Sequence, residues 1–328
     1  MELGKVTVLA KASRKEFDRR AIPREAAESR WSAPDGWQLR RIDWPAPKAP
    51  RGSVLFLPGR GDAYEKYLET LSDWHADGWQ VTAADWRGQA GSGRLGKDAV
   101  TGHVGDFAQW VDDLAALWAD WTAQTPGPHV LAAHSMGGHI ALRALVEHRL
   151  TPDAAVLVAP MLGLHTYGLP MGLLHAAAKL MCRLGDPTRP AWKWSEKPGQ
   201  LPQGRDALLT HDAARYADEE FWRAQRPEIV MGPGSWRWVE RAYASCTAIF
   251  RKRGLEGVKV PVLMLATRHD ALVAYKAIAR AAQRLPRCEL VSFGKEARHE
   301  ILREVDAVRD IALGRINEFL DREAPLPK

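Results

Sequence analysis

Cysteine is scarce in this chain of 328 residues, which contains Cys182, Cys246 and Cys288 alone. Their odd number and wide spacing exclude a disulfide framework and a metal site built from paired cysteines. Unpaired cysteines of this kind are typical of proteins in a reducing compartment. We therefore expect a cytoplasmic protein.

Long apolar runs are missing as well. The nearest approach, residues 154–182, is interrupted by His165, His175 and Lys179 and by several glycines and prolines. A transmembrane helix needs about 18 consecutive apolar residues, so the sequence predicts none. Residues 1–30 contain acidic groups and no apolar stretch of the length found in signal peptides, so we also expect no such signal.

The sequence also lacks the common motifs of metal, cofactor and nucleic-acid binding. It contains no HExxH pair and no dinucleotide glycine fingerprint, and no Lys-Ser pair closes the glycine-rich segment 88–96. The longest basic run, residues 251–253, is too short for a nucleic-acid patch. We therefore expect no metal, no cofactor and no nucleic-acid partner.

The basic surplus is concentrated in two segments. The formal net charge of the chain is +6, and most of it lies in residues 1–30 and 161–257. The second segment includes residues 192–194 (WKW) and 236–238 (WRW). Aromatic rings beside cations suit an interfacial surface, but they also suit ordinary packing. Peripheral contact with an anionic membrane surface, at the inner face of the membrane, is thus one interpretation of this segment.

Short apolar runs alternate with helical patterns along most of the chain. Strands are predicted at residues 54–57, 79–84, 129–133, 155–159 and 262–266. Helices are predicted at residues 64–75, 106–123, 137–147 and 303–322. Continuous apolar strands separated by helices indicate an α/β fold with a mostly parallel central sheet that helices flank on both faces.

The alternation stops between residues 159 and 262. Helical patches there, with many prolines and glycines, predict an inserted and mainly helical cap over the carboxyl ends of the strands. The chain is accordingly divided into an N-terminal arm (1–30), a discontinuous core (31–160 and 258–328) and a cap, or lid, insertion (161–257).

The strongest functional signal is residues 133–138 (AHSMGG), which lie between a predicted strand and a predicted helix. They nearly match G-x-S-x-G, with Ala133 in place of the first glycine. In that motif a tight turn strains the serine backbone and raises its hydroxyl at a helix N-terminus. Ser135 is therefore the candidate nucleophile; the alternative is a serine in an ordinary glycine-rich turn.

A nucleophilic serine needs a base, and the base needs an acid to orient it. In the architecture that uses G-x-S-x-G, the order along the chain is serine, acid, histidine. Asp270 lies in the loop after the predicted strand 262–266, and His299 precedes the last predicted helix. Order and loop position together predict a Ser135-Asp270-His299 triad, although either partner alone is a weak signal.

The tetrahedral intermediate of such a reaction also needs an oxyanion hole. One donor is expected to be the backbone N–H of Met136, the residue after the nucleophile. The other is expected from the loop after the predicted strand 54–57, where the backbone N–H of Arg60 lies between two glycines. The alternative for this loop is a simple turn.

These segments resemble α/β-hydrolases of the bacterial lysophospholipase and monoacylglycerol lipase type, often grouped with the serine aminopeptidases. The matching stretches are LPGRGD (57–62), DWRGQAGSGR (85–94), AHSMGG (133–138), MLATRHDALV (264–273) and ARHEILRE (297–304). The departures are Ala133, Trp86 where histidine is common, and Pro58 where many relatives have histidine. None of them affects the predicted triad.

The resemblance implies an α/β-hydrolase fold and hydrolysis of carboxylic esters through an acyl-enzyme, without metal or organic cofactor. The favoured substrates are lysophospholipid or monoacylglycerol. Alternatives are a small-ester esterase, a lactonase or a peptidase with the same triad, or a catalytically silent ligand-binding module. An epoxide hydrolase or dehalogenase is disfavoured, because those enzymes have aspartate where this chain has Ser135.

Overall fold

An eight-stranded sheet forms the centre of the computed structural model, which describes residues 17–45, 49–166, 168–193, 204–251 and 253–326. The strands are β1 (Ala27–Ser32), β2 (Gln38–Trp44), β3 (Gly52–Leu57), β4 (Trp79–Ala84), β5 (His129–His134), β6 (Ala154–Val158), β7 (Val262–Thr267) and β8 (Cys288–Phe293). Their spatial order is β1-β2-β4-β3-β5-β6-β7-β8. Strand β2 is antiparallel to β1 and β4, and all the other pairs are parallel. The predicted mostly parallel sheet is confirmed.

Helices cover both faces of this sheet. They are α1 (Leu68–Ala76), α2 (Phe107–Thr122), α3 (Met136–Val146), α4 (Met171–Arg183), α5 (Asp206–Leu209), α6 (Ala213–Gln225), α7 (Trp236–Ile249), α8 (Tyr275–Arg284) and α9 (Asp306–Glu323). Apolar side chains of α2, α3 and α8 pack in one core cluster, and those of α1 and α9 pack in the other.

Strand β3 shows why the central strands are continuously apolar. Leu55 and Leu57 belong to the cluster on one face of the sheet, whereas Val54 and Phe56 belong to the cluster on the other. Since side chains alternate between faces along a strand, a strand buried on both faces needs apolar residues at every position. The carboxyl ends of β3, β5, β6 and β7 therefore emerge together at one edge of a rigid sheet.

Helices α4 to α7 are inserted between β6 and β7, above that edge. Helix α7 packs against α3 and α2, which joins the insertion to the core. Ion pairs hold α6 and the residue after it to other parts of the chain: Arg215 pairs with Glu69 of α1, and Arg226 pairs with Glu28 of β1. These contacts fit the predicted cap, and its boundaries stay a prediction.

The predicted N-terminal arm lies partly outside the described residues, since its description begins at Phe17. From there the chain runs along the cap, where Arg19 and Arg20 both pair with Asp218 of α6. Strand β1 begins at Ala27, so the last residues of the predicted arm pair with the sheet. Of the helices that the structure describes, none combines the length and apolarity needed to cross a membrane.

Candidate active site

Ser135 lies in the turn between β5 and α3, with φ 50° and ψ −115°. This is a left-handed conformation that side chains other than glycine rarely adopt, and it costs about 1–3 kcal/mol. Hydrogen bonds hold the strained turn: Ser135 N donates to Val158 O at 2.9 Å, and Met161 N donates to Ser135 O at 3.0 Å. A Cβ on Gly137 would lie 2.5 Å from a backbone oxygen of the neighbouring strand end. The small residues of the motif are therefore required by close backbone packing.

The structure brings together the three residues predicted as a triad. Ser135 Oγ lies 2.9 Å from His299 Nε2, and His299 Nδ1 lies 2.8 Å from Asp270 Oδ2. The other oxygen, Asp270 Oδ1, accepts the backbone N–H groups of Leu272 and Val273 at 2.8 and 2.9 Å. All three side chains are buried in this closed arrangement. The hydrogen bonds form one chain from the serine hydroxyl to the carboxylate.

Burial and ion pairing have opposite effects on the pKa values of Asp270 and His299, the two titratable groups in this series of hydrogen bonds. Burial alone would raise the pKa of Asp270, but the charge and hydrogen bond of His299 hold it below its ordinary value. Burial would likewise lower the pKa of His299, but the carboxylate of Asp270, followed by the charges of Glu300 and Asp62, raises it. The histidine is therefore a stronger base than a free imidazole.

The two predicted oxyanion-hole donors border Ser135 from different sides. Met136 is the first residue of α3, and the first N–H groups of a helix have no acceptor within it. Arg60 follows β3, and a Cβ on the preceding Gly59 would lie 3.1 Å from the Cβ of Ser135. Residues 58–62, named the oxyanion loop after their predicted role, thus run beside Ser135, where an oxyanion hole of this type is expected.

Trp86 and Gln89, to which the sequence analysis assigned no role, form hydrogen bonds to the backbone of the oxyanion loop. Trp86 Nε1 donates to Pro58 O at 2.8 Å, and Gly61 N donates to Gln89 Oε1 at 2.7 Å. Both lie in or next to the glycine-rich segment that follows β4. Two of the departures from the family pattern, Pro58 and Trp86, are therefore in direct contact.

The side chain of Arg60 connects the oxyanion loop to the cap. Its guanidinium lies 4.9 Å from the ring centre of Trp238 and 5.3 Å from that of Trp192. It also donates to Gly232 O at 2.7 Å. These contacts close the cap over the loop, and Ser135 is only 9% exposed.

A buried ionic cluster beside the triad was missed by the sequence analysis. Lys66 lies between the carboxylates of Asp62, Glu219 and Glu300, and Glu300 follows His299 directly in the chain. The pair Asp62 and Lys66, four residues apart at the start of an apolar helical pattern, was the available signal. In the described part of the chain, no group of three or more His, Cys, Asp or Glu side chains is arranged to hold a metal ion.

Residues 48–306, which include the cap and all of the triad candidates, match the family described as serine aminopeptidase, S33. This chain belongs to that family. The serine aminopeptidase S33 assignment makes the chain a serine hydrolase.

Individual relatives agree with this assignment. Lysophospholipase L2 of Escherichia coli (strain K12) is 33% identical over 282 residues, covering 82% of this chain and 80% of the relative. The probable lysophospholipase L2 of Haemophilus influenzae is 29% identical and covers 83% of this chain and 85% of the relative. A soluble variant of monoglyceride lipase from Saccharomyces cerevisiae has the same fold, with TM-score 0.72, 18% identity and coverage of 94% of this chain and 98% of that one. The predicted resemblance and the α/β-hydrolase fold are confirmed.

Proposed function

We propose that Ser135, His299 and Asp270 form the catalytic triad of an ester hydrolase that works through an acyl-enzyme. The observation that carries this proposal is the continuous hydrogen-bond chain, 2.9 Å from Ser135 Oγ to His299 Nε2 and 2.8 Å from His299 Nδ1 to Asp270 Oδ2. This is the geometry in which a base can take the serine proton while a carboxylate fixes its tautomer.

The proposed reaction has two halves. Ser135 Oγ attacks the ester carbonyl while His299 Nε2 accepts its proton, and the oxyanion is stabilised by the N–H groups of Arg60 and Met136. Collapse breaks the bond to the leaving alcohol, which receives the proton from His299. Water then attacks the acyl-enzyme with the same base, which releases the carboxylic acid and regenerates Ser135.

Lysophospholipid is the favoured substrate, with monoacylglycerol second. The support is that the relatives matched by sequence over four-fifths of this chain are named lysophospholipase L2 or probable lysophospholipase L2, whereas the monoacylglycerol lipase matched by sequence covers 43% of it. A small-ester esterase, a lactonase and a peptidase with this triad are the competing activities. A catalytically silent binding module is the competing class.

Labelling with a fluorophosphonate probe separates enzyme from binding module. Wild type is expected to be labelled and Ser135→Ala is not, because the serine oxygen forms the bond to phosphorus. Ser72→Ala, a half-buried serine on α1, is the matched control and is expected to label like wild type. Absence of labelling in folded wild type would contradict the proposed function.

A hydrolysis panel then ranks the substrates. Lysophospholipid, monoacylglycerol, p-nitrophenyl esters of increasing chain length and aminoacyl substrates are compared by kcat/KM. The proposal expects the highest value for lysophospholipid. A maximum at short-chain esters, without turnover of lysophospholipid, would assign the small-ester activity instead.

We further propose that one face of α4 contacts an anionic lipid surface. Leu173 and Leu180 lie on this face, Leu169 and Leu184 flank the two ends of the helix, and all four are 51–68% exposed. Leucines at such exposure line neither a pocket nor the cap–core interface. Helix α4 contains basic residues and no acidic one, so its charge complements anionic headgroups rather than another basic copy of this chain.

Vesicle co-sedimentation tests this surface. Vesicles containing phosphatidylglycerol are expected to bind wild type more tightly than phosphatidylcholine vesicles, with a difference that shrinks as salt rises. Leu173→Ser with Leu180→Ser is expected to weaken binding at least about tenfold, because each buried leucine contributes about 1–2 kcal/mol. Ile311→Ser, at a 51% exposed position of α9, is the matched control.

Two results would overturn the membrane proposal. One is that the variant with both leucines replaced binds vesicles as tightly as the Ile311→Ser control does. The other is a concentration-dependent dimer of wild type, without vesicle binding, that the leucine variant alone dissociates.

A further inference from the structure

The ammonium group of Lys66 is the centre of a buried cluster that joins separate parts of the molecule. Its side chain is 2% exposed. Nζ lies 2.5 Å from Asp62 Oδ1 in the oxyanion loop, 2.6 Å from Glu300 Oε1 beside His299, and 3.1 Å from Glu219 Oε2 on cap helix α6. A buried charge of this kind is tolerated only when its partners surround it closely, so the three segments are fixed relative to one another.

Asp62 extends the cluster to the reaction centre. Its second oxygen, Oδ2, accepts the backbone N–H of Gly59 at 3.3 Å and the hydroxyl of Tyr67 at 3.0 Å. The same oxygen lies 3.2 Å from His134 Nδ1, and His134 Nε2 lies 3.3 Å from the carbonyl oxygen of His299. One carboxylate thus contacts the oxyanion loop and the residue before the nucleophile, while Lys66 ties it to the histidine segment.

We propose that Lys66 and Glu300 are positioning residues, which hold the His299 segment in register with the oxyanion loop and with Ser135. This inference rests on the proposed function. Neither side chain touches the triad atoms: Glu300 acts through the backbone of His299, and Lys66 acts through Asp62 and Glu300. Small displacements of the histidine relative to the serine reduce catalysis steeply.

The cluster also contributes to the electrostatic environment of His299. Charged and titratable groups surround the histidine on several elements: Asp270 after β7, Asp62, Lys66 and Tyr67 before α1, His134 on β5, Glu219 on α6, and Glu300 and Arg303 on its own segment. The charges of Asp270, Glu300 and Asp62 raise the pKa of His299. Removing the negative charge of Glu300 is therefore expected to lower that pKa. Removing the positive charge of Lys66 is expected to raise it, because a nearby like charge disfavours the protonated imidazole.

Opposite shifts in the pH profile are the signature of this role. The acid limb of kcat/KM reports the base of the free enzyme. Glu300→Gln is expected to move it down by about half to one pH unit, and Lys66→Met to move it up. The double variant is expected to return it towards wild type. For each variant kcat falls about tenfold to a hundredfold, with KM little changed, because positioning and not binding is lost.

The matched control is Asp113→Asn, which disrupts a buried pair with Arg87 away from the triad. Titration with fluorophosphonate measures the concentration of active sites, and kcat is calculated from it. A partly unfolded sample is therefore not mistaken for an enzyme with a lower kcat. If Lys66→Met does not fold, the neutral and nearly isosteric Glu300→Gln decides. The inference would be overturned if Glu300→Gln is labelled by fluorophosphonate and has the same pH profile and kcat as the Asp113→Asn control. If wild type is not labelled, the proposed function itself would be overturned.

Discussion

His299 carries opposing electrostatic effects in a single imidazole. Burial lowers its pKa, and the carboxylates of Asp270, Glu300 and Asp62 raise it further than burial lowers it. A base whose pKa lies above the ordinary histidine value is protonated, and therefore inactive, over a wider acidic range. The acid limb of kcat/KM is thus expected above about pH 6.5.

Asp270→Asn is the residue change that tests this balance. It removes the carboxylate that is 2.8 Å from His299 Nδ1. The pKa of His299 then falls, so the acid limb moves to lower pH, and kcat falls by about four orders of magnitude because the tautomer is no longer fixed. The measurement is the pH dependence of kcat/KM for wild type and variant. An acid limb that stays in place would mean that another group titrates.

Among the elements, α3 connects Ser135, which precedes it, to helix α7. His139 on this helix is fully buried, with Nδ1 2.9 Å from Met161 O and Nε2 2.6 Å from Ser245 Oγ on α7. Burial, with a smaller effect from the charge of Arg143, lowers the pKa of His139 to about 3. The folded state therefore holds this histidine neutral between about pH 3 and 6.5, whereas the unfolded chain binds a proton there. This histidine accordingly makes the fold less stable as pH falls through that range.

Ser245→Ala tests the contribution of this link to stability. It leaves His139 Nε2 without its partner on α7 and removes an acceptor of Arg143. The expected loss is about 1–3 kcal/mol in the free energy of unfolding, because a buried polar group stays unpaired. Denaturant unfolding measures it. Ser292→Ala, on edge strand β8, is the control, and an equal loss there would refute a special role for the α3–α7 contact.

At the scale of the whole molecule, what the sequence predicts depends on burial. The five predicted strands are central and covered on both faces, so they appear as continuous apolar runs. Strands β1, β2 and β8 were not predicted. Every residue of β1 except Trp31 is exposed, and of the residues of β8 only Phe293 is buried. Strands β1 and β8 are the edges of the sheet, and their exposed positions interrupt the apolar pattern. Strand β2 lies between β1 and β4, but Arg40, Arg41 and Asp43 break its apolar run, so its sequence carries a weak signal too.

The candidate site divides in the same way. That Ser135, Asp270 and His299 come together could be predicted, because local motif, loop position and chain order mark them; their catalytic role stays a prediction. Lys66 was marked only by Asp62 four residues before it, because its other partners, at positions 219 and 300, reach it only in the folded chain. Exposure of the leucines on α4 was equally invisible, because an apolar helical stripe looks the same whether it packs or faces solvent.

The strained backbone at Ser135 means that stability and activity favour different residues at this position. Glycine adopts φ 50° without the steric cost that serine pays, so a glycine there would relieve strain worth about 1–3 kcal/mol. That is a large part of the roughly 5–15 kcal/mol by which a domain is stable. A screen for thermal tolerance alone would therefore favour losing the serine that we propose as the nucleophile, and directed evolution of this enzyme has to select for turnover in every round.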